Sequence, residues 1–168
     1  MRVLVAGIGN VFLADDGFGV EVVRRLAPAT LPENVDVADF GIRGVHLAYE
    51  LLDRRHDTLI LVDAVPLGEQ PVTLVVIDAT DQAVVARSGP VDAHSMSPGV
   101  VLGALQALGG ALGRVLVVGC QPAELGERMG LSEPVAAAVD EAARITADLA
   151  RREAVPVVTV PSTSGRPT

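Results

Sequence analysis

The sequence predicts one α/β domain in which a twisted, mostly parallel five-stranded sheet lies between helices. Three observations lead there. Short apolar runs alternate along the chain with segments of helical spacing. The composition is 49% hydrophobic but only 2% aromatic, so the core is Val, Leu, Ala and Ile, which suits parallel strands packed by helices. A length of 168 residues is enough for one domain with a sizeable core and too short for two ordinary ones.

Each element has its own signal. Val3, Leu4 and Val5 form a first buried strand, and a helix from about Gly17 to Leu26 turns Val22, Val23 and Leu26 to one face, with Pro28 and Pro32 ending it. Val35 and Val37 alternate with polar residues into Asp39, a second strand. Gly41 and Gly44 punctuate a loop before a helix carrying Leu47, Leu51 and Leu52. The run Thr58-Leu59-Ile60-Leu61-Val62 is the most continuous apolar stretch and reads as the central strand, ending at Asp63. Pro66, Gly68 and Pro71 turn the chain into a fourth strand over residues 72–77.

Residues 78–93 have weak periodicity and read as a long loop, a feature that in a compact domain more often serves function. Ser97-Pro98 starts a helix, Ser as N-cap and Pro at the first helical position, followed by Val101, Leu102, Leu105 and Leu108. Gly109, Gly110 and Gly113 break it before a fifth strand over residues 115–118. Ser132 caps a last helix with the stripe Val135, Val139, Ala142, Ile145 and Leu149. The domain is expected over residues 1–154, and residues 155–168, rich in Pro, Ser, Thr and Gly, as a disordered tail.

Charge and residue counts exclude several functions. A formal net charge of −8 argues against nucleic acid or an anionic membrane as partner. All 13 basic residues are arginine, which rules out a Walker-type phosphate loop with its lysine. The single cysteine, Cys120, excludes an internal disulfide framework and a multi-thiolate zinc site. The N-terminus lacks a signal-peptide layout, and no apolar run approaches about 18 residues, so a cytoplasmic protein is expected.

The chemistry gathers where open α/β sheets place their sites, at the carboxyl ends of the strands. The loop Gly7-Ile8-Gly9-Asn10-Val11-Phe12-Leu13-Ala14-Asp15-Asp16-Gly17-Phe18-Gly19 delivers two adjacent acids after strand one. Strand two ends at Asp39, strand three at Asp63, and His94 follows strand four. Two carboxylates and an imidazole make a sensible ligand set for a borderline divalent metal such as nickel or zinc, with one or more positions left open. Each residue also has a plainer role: the paired acids as helix caps, Asp63 as a turn residue, His94 as a surface histidine. His46 and His56 read as solvated or locally bonded, and Cys120 as a small buried hydrophobe. Dinucleotide binding is a weak rival, because Phe12 stands at the third glycine position and the acids would meet a pyrophosphate.

Read together, these blocks resemble the hydrogenase maturation endopeptidases, which process the large subunit of nickel–iron hydrogenases. The resemblance is carried by Gly7-x-Gly9-Asn10, Asp15-Asp16-Gly17-x-Gly19, Asp39-x-Gly41-x-x-Gly44, Asp63-Ala64, His94-x-x-Ser97, Gly119-x-x-Pro122 and Gly130-Leu131-Ser132-x-x-Val135. It spans nearly the whole chain up to the tail. It implies a phosphorylase/hydrolase-like sheet between helices, with metal ligands at Asp16, Asp63 and His94. Relatives often carry glutamate where this chain has the shorter Asp16, and Asp15 is left as the helix-capping member of the pair.

The implied activity is removal of a C-terminal peptide from a large-subunit precursor once nickel has been inserted. Nickel arrives with the substrate, and zinc or cadmium would substitute for it in a crystal. Asp39 is the candidate for a supporting or substrate-positioning residue. The implied partner is the hydrogenase large-subunit precursor, with no nucleic acid and no membrane, and the protein is expected to be a monomer. A checkpoint or chaperone that binds nickel and docks the precursor without cutting it would use the same ligands. No nucleophile–base pair or His-Glu-x-x-His helix offers an ordinary protease mechanism instead.

Overall fold

Parallel pairing of four apolar strands dictates the architecture. A computed structural model describes residues 1–27, 30–53, 55–81 and 97–155. The strands are β1 (Val3–Ile8), β2 (Val35–Gly41), β3 (Thr58–Ala64), β4 (Leu74–Asp78) and β5 (Arg114–Cys120). The helices are α1 (Phe18–Arg25), α2 (Gly44–Leu52), α3 (Pro98–Ala107) and α4 (Glu133–Ala154). The sheet order is β2-β1-β3-β5-β4, and β4 alone runs antiparallel, on the edge beside β5. Only residues 65–73 separate β3 from β4, too few for the crossover a parallel return would need. The expected single domain with a mostly parallel five-stranded sheet is the one observed.

Side-chain alternation along the strands splits the core in two. From β1, Val3 and Val5 pack with Phe18, Val22 and Val23 of α1 and with Val135, Val139 and Ala142 of α4. Leu4, Ala6 and Ile8 point the other way, onto Leu47 and Leu51 of α2 and Val101, Leu102 and Leu105 of α3. β1 and β3 are buried at every position, as continuous apolar runs in a central parallel sheet require.

Several boundaries differ from those read off the sequence. β4 begins at Leu74, because Val72 sits at φ +71° with its N–H on the Gln121 carbonyl, a conformation that cannot continue a ladder. α1 begins at Phe18, after a 3-10 turn over Ala14–Gly17, and ends at Arg25. α3 stops at Ala107 and leaves Leu108 exposed. Neither Ser97 nor Ser132 caps its helix through the side chain. The Ser97 carbonyl instead takes the Val100 and Val101 N–H groups. Of the expected 78–93 loop, Ala79 still pairs with the Val115 carbonyl, while residues 82–96 lie outside the described residues, as does 156–168 of the expected tail. No described helix is long and apolar enough to cross a membrane.

The sharpest packing constraint lies under the first helix. A Cβ at Gly19 would stand inside the van der Waals radii of the Val62 and Ile8 carbonyl oxygens, so α1 can approach β1 and β3 only with glycine there. Both contacts are backbone and cannot swing aside. Gly19→Ala is therefore expected to destabilise the fold by at least about 2–3 kcal/mol, the range of overpacked cores. A melting curve within 1 °C of wild type, on the order of 0.3 kcal/mol, would refute the constraint.

Candidate active site

The strand order places the sequence's acids at one crevice. From β1 the chain passes to β2 on one side, while β3 flanks β1 on the other, so the sheet has its topological switch point between β1 and β3. Gly7 pairs with Val62, one residue before Asp63, so the β1 loop and the β3 terminus meet there. Asp63 is 3% exposed, and its Oδ1 is buried without a hydrogen-bond partner. Asp16, half-buried in the 3-10 turn, accepts the Asn10 N–H at 2.7 Å through Oδ2.

The charge of Asp16 opposes the ionisation of Asp63. Burial first, then the charge of Asp16, hold the Asp63 carboxyl well above its ordinary pKa, and the Ala64 N–H offsets this only in part. Burial likewise raises Asp16, against the single bond from Asn10. A buried, orphaned carboxylate oxygen beside a second carboxylate is the environment a cation relieves. This donor chemistry fits a divalent metal. His94, the third expected ligand, lies outside the described residues, and among those described no three or more His, Cys, Asp or Glu are grouped to hold an ion.

The backbone that aims Asp16 is fixed from two sides. Gly9 sits at φ +127°, and a Cβ there would run into the Asp16 carbonyl oxygen. Asn10 Oδ1 accepts the Phe12 N–H at 3.0 Å and folds the loop back on itself. From the other side comes the β5–α4 connection. The Ala14 and Arg128 N–H groups bond to the Arg128 and Phe12 carbonyls, and the Asp15 N–H to that of Glu124.

Asp15 supplies the central tie and is not the cap of its own helix. Its carboxylate is completely buried and accepts four hydrogen bonds: Ala123 N–H at 2.9 Å, Glu124 N–H at 2.8 Å, Ser132 N–H at 2.7 Å and the Ser132 hydroxyl at 2.9 Å. That is why the Ser132 hydroxyl is unavailable to α4. Burial raises the Asp15 carboxyl, but the Ser132 and Glu124 N–H groups, the Ser132 hydroxyl and the Ala123 N–H together outweigh it, and the net shift is downward. The sequence held no signal for this role, since the partners lie 108–117 residues away.

Asp39 lies on the same rim, opposite Gly7. Its Oδ2 accepts Arg24 Nη2 at 3.0 Å, and its carbonyl accepts Arg43 Nη2 at 2.6 Å. The remaining candidates behave as expected. His46 is exposed, and His56, at the opposite edge, is buried with Nε2 on Asp36 Oδ2 at 2.8 Å. Cys120 is fully buried, and desolvation followed by the charge of Asp15 pushes its thiol up to about 11, which disqualifies it as a nucleophile.

Acids converging at a switch point are a chemistry, and comparison with known proteins supplies the family. The hydrogenase maturation protease profile, HycI, matches residues 20–149. The chain belongs to that family. Hydrogenase expression/formation protein HoxM of Azotobacter vinelandii is 36% identical over 158 residues, covering 92% of this chain and 75% of HoxM. Among solved structures, the hydrogenase maturating endopeptidase HybD of Escherichia coli has a TM-score of 0.76 at 27% identity, over 92% of this chain and 94% of HybD. The hydrogenase 2 maturation peptidase of Thaumarchaeota archaeon SCGC_AB-539-E09 has a TM-score of 0.65 at 31% identity, over 89% and 97%. Family membership makes the chain a hydrolase of the endopeptidase kind, acting in hydrogenase maturation.

Two outcomes follow for this member of the family. Asp15→Asn keeps the shape but sets an amide N–H₂ against N–H and O–H donors, so a loss of about 2–4 kcal/mol is expected, with faster amide exchange over 121–132. Unchanged exchange there refutes the tie. Asp63→Asn should act in the opposite direction on stability. Because the folded-state pKa of Asp63 is raised, its stabilising share is present below the ordinary value of 3.8 and is lost as pH rises toward the folded-state value. Metal-free Asp63→Asn should therefore melt higher than wild type at neutral pH, the gap closing as pH falls to about 4. Parallel melting curves across that range contradict a strained carboxylate.

Proposed function

We propose that the chain is an endopeptidase that removes the C-terminal extension of a nickel–iron hydrogenase large-subunit precursor after nickel insertion. It recognises the nickel carried by that substrate through Asp16, Asp63 and His94. The observation that carries this reading is the orphaned Oδ1 of buried Asp63 beside Asp16, at the switch-point crevice. Family membership supports the cutting, and the names of its relatives support a hydrogenase component as the thing cut. His94 enters from the sequence alone, as the residue whose imidazole completes the ligand set.

In this scheme the protein's residues select and position rather than attack. Asp16 and Asp63 offer carboxylate oxygens to a nickel whose other ligands are substrate thiolates. A nickel-free precursor then leaves the two acids facing each other without a cation and is bound poorly. Nickel so held supplies Lewis acidity at the scissile carbonyl, or lowers the pKa of a water. Asp39, fixed by Arg24 and Arg43, positions substrate at the edge of the crevice. The reading includes a monomer working in the cytoplasm.

The deciding experiment incubates the purified chain with nickel-loaded and nickel-free precursor. Cleavage of the loaded form alone is expected, and His94→Ala and Asp63→Asn should abolish it with folded protein remaining. Binding without cleavage identifies a checkpoint protein instead, and equal cleavage of both precursors removes nickel from the account. Asp39→Asn should slow processing at least about tenfold, the loss expected when a supporting residue goes. Unchanged processing rules out its role.

A further inference from the structure

We propose that a cavity beside Asp63 is a specificity pocket that accepts an uncharged, apolar side chain of the polypeptide next to the bond being cut. This deepens the endopeptidase reading and rests on it. The cavity has a volume of about 110 Å³, well beyond the ~15 Å³ that houses one water. Its walls come from three places: Ala64 ending β3 with Val65 and Pro66 after it, Ile77 of β4 with Ala79 just beyond, and Val117 of β5. The start of α3, at Ser97, Pro98 and Gly99, closes it, and Asp63 stands at its margin.

The lining chooses the occupant. Among the described residues, apart from Asp63 and Ser97, no lining side chain carries a donor or acceptor, so a charged group finds few partners there. Among the described lining residues an anion finds no cation to pair with. The residue that walls the pocket is also the one whose Oδ1 lacks a partner, so a polypeptide held at Asp63 brings a neighbouring side chain to the pocket mouth. Small residues, Ala64 and Ala79, leave the space, and the edge strand β4 brings Ile77 to it. Recognition would then use two features of one substrate: the metal at the carboxylates and a side chain in the pocket.

The test uses the full-length chain and nickel-loaded precursors in which the residue on each side of the cut is, in turn, Ala, Leu, Phe or Asp. At one of the two positions wild type should process Leu at least about tenfold better than Asp by kcat/KM, the scale of discrimination in an apolar pocket. Ile77→Ala enlarges the pocket and should raise the Phe-to-Ala preference at that position about tenfold, while Ala79→Leu should lower it about as much. Ile77 lies half-buried on the edge strand, so Ile77→Ala carries the test alone if overpacking at buried Ala79 prevents folding. Identical preferences in wild type and Ile77→Ala overturn the pocket, as does equal processing of Asp and Leu at both positions. If wild type cuts these panels indifferently, the endopeptidase reading stands and the pocket falls. If it cuts no nickel-loaded precursor, the native one included, both fall.

Discussion

The buried Asp15 carboxylate gathers four donors from a connection more than a hundred residues away, and the geometry of the crevice depends on that contact. A charge at zero exposure is tolerated only when it is fully hydrogen-bonded, and each donor here is a backbone or hydroxyl group in a fixed place. The result is a stiff corner. The β1 loop is held to the β5–α4 connection, and the next residue, Asp16, inherits its position. Ala14, at φ +48°, carries backbone strain just before the pair, which the surrounding bonds hold in place.

The neighbouring acids show how one residue type serves opposite ends. Asp15 is satisfied, shifted down, and structural. Asp63, nearly as buried, lacks a partner for one oxygen and is shifted up, so it burdens the fold. The difference lies in the donors each can reach: loop backbone for Asp15, a strand end facing a second acid for Asp63. A carboxyl with a strongly raised pKa beside a second acid, at the end of a strand, is a common mark of a working site.

The layering explains how such a site stays open. Gly19 lets α1 lie directly on the carbonyls of β1 and β3, which closes the sheet beneath the crevice, while the acids project from the carboxyl ends above it. On the other side of Asp63, the antiparallel edge strand β4 and the start of α3 bound an apolar cavity. The rim thus offers carboxylates at one point and apolar space beside them.

Much of this was legible in the chain alone. Apolar runs at residues 3–5, 58–62 and 115–118 became strands β1, β3 and β5, because a central parallel strand must be apolar on both faces. The helix stripes through Leu47, Leu51, Val101 and Leu105 became the α2 and α3 faces of the core. Asp16 and Asp63 were placed at one crevice because strand ends in an open parallel sheet converge on a common edge. Only the tertiary structure decided the division of labour between Asp15 and Asp16, the release of Ser132 from its capping role, the capture of Asp39 by Arg24, and the cavity built from β3, β4, β5 and α3. Local pattern fixes what a residue can be, by propensity and periodicity. Which donor reaches which acceptor across a hundred residues is set by packing, and a single chain of letters carries no distance between them.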